Sequence, residues 1–135
     1  MIDPALGQRA RSSEACSLRR KVGGMPRDMP GSHLQLARDL RCRVVEAGTL
    51  DRELGCAILA RSAGGPAVPE PYDALVKQVD EDSFRVTDTQ VQAVLQETGS
   101  EGDAFEVILT AAIGAGLRRW DAAEKVISEA ERAAP

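Results

Sequence analysis

The chain has 135 residues, 43% of them apolar but only four of them aromatic, and a net charge of −4. That is one domain's worth of chain, and with so few rings its core must be built mainly from Leu, Val, Ile and Ala, which suits helix packing. The charge is split: residues 1–31 carry about +3 and the rest about −7, so the acidic body would repel a phosphate backbone and a nucleic-acid partner is not expected.

Residues 1–31 mix Arg, Ser, Gly and Pro without a sustained apolar period and read as a flexible basic N-terminal tail. Met29 offers an alternative start just before the first helix. The helical domain is expected over residues 32–135. Its first helix opens at Ser32, where Ser32 and Gln35 have the spacing of a capping box. Leu36, Leu40 and Val44 follow at four-residue steps, flanked by Ala37 and Val45. Gly48 is expected to supply the left-handed position beyond its end. A second helix runs from about Asp51 to Ala63 with Leu54, Ala57 and Ile58 on its apolar face and Cys56 a candidate to join them, and Gly64-Gly65-Pro66 ends it.

A third helix begins near Pro71, whose missing N–H costs nothing in a first turn. Tyr72, Leu75, Val76 and Val79 recur at i, i+3, i+4, i+7 and form its buried face. The acidic Asp80-Glu81-Asp82 stretch leads to a break around Ser83. The fourth helix carries the clearest start signal. Thr87 is the N-cap, Gln90 completes a capping box, and Val86 and Val91 occupy the positions of a hydrophobic staple. Gly99 stops it. The fifth helix starts between Ser100 and Asp103. Phe105, Ile108, Leu109, Ala112, Ile113, Gly116, Trp120, Ala123 and Ile127 share one face, expected to turn inward or toward a second subunit. Gly116 is read as a point of close helix packing. No segment alternates with period two, so the chain reads as all-α, with about five helices in antiparallel hairpins forming a small orthogonal bundle.

Residues able to carry chemistry are few. The single histidine, His33, sits in a first helical turn and reads as an exposed residue. Cys16, Cys42 and Cys56 form no C-x-x-C pair, so a reduced, cytoplasmic setting is the default. Cys42 and Cys56 lie on neighbouring helices, where a redox pair is conceivable and a pair of small buried hydrophobes more ordinary. No metal or cofactor set is visible. The longest uncharged apolar run, Val107–Leu117, is too short to span a membrane. Glu101, Asp103 and Glu106 crowd the start of the fifth helix, where its dipole favours carboxylates. The ledge Ala112, Gly116 and Trp120 has the character of a subunit interface.

The segment from Arg85 to Ala123 resembles the second helical hairpin of the alkylhydroperoxidase D / carboxymuconolactone decarboxylase-like proteins. The matching positions are Thr87, Asp88, Val91, Leu95, Gly99, Phe105, Glu106, Ala111, Ala112 and Arg118. The resemblance implies an all-helical fold and obligate homo-oligomers. The family's redox branch carries C-x-x-C and a nearby His on the preceding helix; here that region, Pro71–Ser83, holds neither Cys nor His. A thiolate that attacks needs a neighbour to resolve the mixed disulfide, so no redox residue carries over. The expected function is a non-redox helical module for binding or assembly that self-associates through its fifth helix. One alternative is a cofactor-free decarboxylase-like enzyme taking a small organic acid as ligand. In it Glu106 or Asp73 would serve as acid/base, and Arg118 or Arg85 would hold the carboxylate. The other is thiol peroxidase-type activity through Cys42 and Cys56.

Overall fold

The computed structural model describes residues 32–135; the basic tail expected over 1–31 lies outside the described residues. The chain divides into two compact units, Met1–Leu36 and Ala37–Pro135. Of the first, only the opening turn of a helix is described. There Ser32 Oγ accepts from the Gln35 N–H at 3.3 Å, and His33, Leu34 and Leu36 are exposed.

The described residues form five α-helices and no strand, a small all-α bundle. These are α1 (His33–Glu46), α2 (Arg52–Ser62), α3 (Tyr72–Asp82), α4 (Asp88–Thr98) and α5 (Glu101–Ala133), with a 3-10 turn over Ser83–Arg85. Helix α5 is the spine on which α2, α3 and α4 all pack. At 33 residues it is roughly 50 Å long at 1.5 Å per residue.

Local chemistry explains most of these boundaries. Asp51 caps α2 by accepting from the Leu54 N–H at 3.0 Å. Thr87 and Gln90 form both bonds of the capping box, and Gly99 closes α4 in the left-handed region at φ 71°. Ser100 caps α5 by accepting from Asp103 N–H. Pro71 sits at the N-cap of α3, one place before the first-turn position that its missing N–H suggested.

The core follows from facing stripes on four helices, α2 to α5. Ile58, Leu75, Val76, Val94 and Val107 are wholly buried, with Tyr72, Val79 and Ala111 around them. Helix α3 buries the four residues its period marks out. Helix α5 does not. Its buried residues are Ala104, Val107, Thr110, Ala111, Gly114, Ala115 and Leu117, whereas Phe105, Leu109 and Trp120 are 63%, 41% and 40% exposed. Ala112 and Gly116 are exposed as well, and Ile108 and Ile113 are half-buried. The inward face is therefore the small-residue one. Small side chains let α2 come close, and the closest point is Gly114, not Gly116. A Cβ on Gly114 would lie 3.1 Å from the Leu59 carbonyl oxygen and 3.0 Å from Ser62 Cβ, while one on Gly116 meets nothing within 4 Å. Buried Ser62 satisfies itself there, its hydroxyl lying 2.9 Å from the Ile58 carbonyl and 3.0 Å from that of Leu59.

Helix α1 repeats the pattern. Ala37 and Val45 are buried, whereas Leu40 is 41% exposed.

Candidate functional site

Between the second half of α1 and the first half of α5 runs an apolar groove of about 390 Å³. Leu40, Val44, Phe105, Leu109 and Ile113 line it, and Arg43 and Glu106 stand in its wall. Glu106, in that wall, forms a carboxylate latch. Glu106 Oε2 accepts from the backbone N–H groups of Thr49 (2.9 Å) and Leu50 (3.1 Å). The Thr49 hydroxyl lies 2.7 Å from Asp103 Oδ1 and 3.2 Å from Glu106 Oε2. This latch gives Gly48 its reason. Gly48 does not occupy the left-handed region expected of it; that conformation belongs to Gly64 and Gly99. A Cβ at Gly48 would instead overlap the Glu106 carboxylate. Glu106→Ala is expected to free the Thr49 and Leu50 amides, read as faster hydrogen exchange there with α3 and α4 unchanged.

Asp73 has a second structural post. It receives Arg61 Nε at 2.7 Å and Nη2 at 3.2 Å, and its Oδ1 also accepts from the Val68 N–H at 3.0 Å. Arg61 Nη1 reaches the Gly65 carbonyl at 3.3 Å. The group ties the end of α2, the loop after it and the first turn of α3 together. The hydrogen bond from Arg61, then that from Val68, holds the Asp73 carboxyl below the usual carboxylate range. Because the folded value is depressed, its contribution to stability is complete above the ordinary carboxylate pKa and fades as pH falls through the lower folded one. Asp73→Asn is therefore expected to be less stable at neutral pH and to lose less on acidification than the native chain. Thermal melts across the acid range read this out, and parallel curves would contradict it.

Arg118 donates to Asp80 Oδ1 at 2.9 Å, and Arg119 Nη2 to the Asp80 carbonyl oxygen at 2.7 Å. Arg85 pairs with Asp82 at 2.9 Å and lies 5.8 Å above the Phe84 ring. The four residues singled out for acid/base or carboxylate-binding work thus occupy four separate positions. Glu106 and Arg118 stand twelve residues apart on one helix, roughly 18 Å along its axis, and each is engaged with a different partner.

Cys42 is half-buried on α1, Cys56 is exposed on α2 rather than on the buried face expected for it, and both thiols are free. His33 is exposed. Among the described residues no three His, Cys, Asp or Glu side chains gather as a metal site, and no helix is long and apolar enough to cross a membrane. The residues of the proposed interface, Ala112, Gly116 and Trp120, share the outer face of α5 with Gly102, Phe105 and Leu109, all exposed. Below Trp120 the Arg41–Asp121 ion pair ties α1 to α5.

Sequence reasoning missed the Glu106 latch and the Arg61–Asp73 clamp, because their partners lie 57 and 12 residues away. No protein-family model, curated protein or solved structure matches the chain.

Proposed function

We propose that this chain is a non-redox helical protein of the alkylhydroperoxidase D-like type that works as a self-associating binding or assembly module. The observation that carries the reading is the outer stripe of α5. Phe105, Leu109 and Trp120 are exposed along about four turns of one helix, Phe105 the most and the other two at about 40%, and Leu40 extends the apolar surface across the groove. A continuous apolar patch rimmed by charge is the mark of a surface meant to be covered. Two further features support a module over an enzyme. Glu106 and Asp73 are each consumed in holding backbone, and Arg118 and Arg85 in surface ion pairs. The groove wall is apolar apart from Arg43 and the latched Glu106.

Light scattering on the full chain at tens of micromolar tests it. A mass of two or more whole multiples of 14.4 kDa is expected. A strict monomer would overturn the assembly role.

A further inference from the structure

We propose that the outer face of α5 pairs antiparallel with the same face of a second copy, across a twofold axis level with Thr110 and Ala111. The proposal rests on the self-association reading and adds to it a register and a partner surface.

At 100° per residue, Gly102, Phe105, Leu109, Ala112, Gly116 and Trp120 form one stripe opposite the buried residues of α5. Large and small side chains alternate in blocks along it. Two glycines stand exposed, and a Cβ at Gly116 would meet open space. An antiparallel pair about the 110/111 level sets Phe105 of each copy opposite the bare surface of Gly116. Leu109 then faces Ala112, and Trp120 lies over the Glu101–Gly102 step. Every large side chain meets a small one, the arrangement that lets two helices approach closely.

Charge selects the same register. Glu101 and Arg119 lie on the same flank of the stripe, within one residue of mutual level in this pairing. Glu101 is exposed in the first turn, and the Arg119 side chain stays 60% exposed although it reaches the Asp80 carbonyl. A guanidinium has donors to spare for a second acceptor. Moving the axis two residues toward the C-terminus would part Glu101 from Arg119 and put Phe105 level with Trp120. Parallel pairing would carry the flank of Glu101 and Arg119 to opposite sides of the two copies and set Phe105 against Phe105. The lost ion pairs and the colliding rings disfavour both.

The test is sedimentation of the full chain and four variants over a concentration series. Glu101→Arg and Arg119→Glu are each expected to weaken the dimer by about tenfold or more, and the double exchange E101R/R119E to recover most of that loss. Gly116→Leu is expected to abolish the dimer while the thermal midpoint of the separated chain does not fall, since that Cβ has room. Undiminished association in all four variants would overturn this register and leave self-association standing. An odd-numbered native assembly would overturn the twofold pairing. A native monomer would overturn both the pairing and the reading beneath it.

Discussion

Leu75→Ala is expected to cost about 2–5 kcal/mol. Leu75 is wholly buried in the cluster that also holds Ile58, Val76 and Val107, on the faces of α2, α3 and α5. Its removal leaves a cavity that three backbones, already close, cannot collapse to fill. A domain of this size is stable by only about 5–15 kcal/mol in all, so the variant should unfold at a much lower urea concentration with an unchanged slope. A loss below about 1 kcal/mol would mean that Leu75 is not at the centre of the core.

Gly114→Val and Gly116→Ala are expected to act in opposite directions although they are two residues apart on one helix. At Gly114 a Cβ would stand 3.0 Å from Ser62 Cβ and 3.1 Å from the Leu59 carbonyl oxygen, and closer still to the Ser62 hydroxyl. Backbone cannot step aside as a flexible side chain can. The Ser62 hydroxyl would also lose its place beside the carbonyls of Ile58 and Leu59. Overpacking of this kind costs about 1–3 kcal/mol, and a β-branched residue belongs at the upper end. At Gly116 nothing lies within 4 Å, so Ala gains its helix propensity, about 1 kcal/mol, in the isolated chain. Thermal denaturation of both variants reads the two signs. Equal losses would contradict the assignment of Gly114 as the point of closest approach.

How much of this was legible without coordinates depended on whether one signal stood alone. Helix α3 has a single apolar face, so its period named Tyr72, Leu75, Val76 and Val79 correctly. Helix α4 has a local start and a local stop, and both are where Thr87 and Gly99 put them. Helix α5 is apolar on two sides. Large side chains made one face look like the core, but burial went to the Ala and Gly face because a neighbouring helix can only come close there. Periodicity ranks faces by hydrophobicity; it does not know which neighbour needs room. The same limit governs the polar residues. Glu106 and Asp73 stand out in sequence as carboxylates, yet what each one holds is a backbone segment brought near only by folding.

The central claim is that the apolar outer face of α5 is covered by another copy of the chain. Trp120 is the only tryptophan and lies on that face, 40% exposed in the single chain. Its fluorescence over a dilution series is the most direct reading. A shielded, blue-shifted emission at high concentration that moves red as the chains part is expected. One red, water-exposed emission at every concentration would contradict the claim.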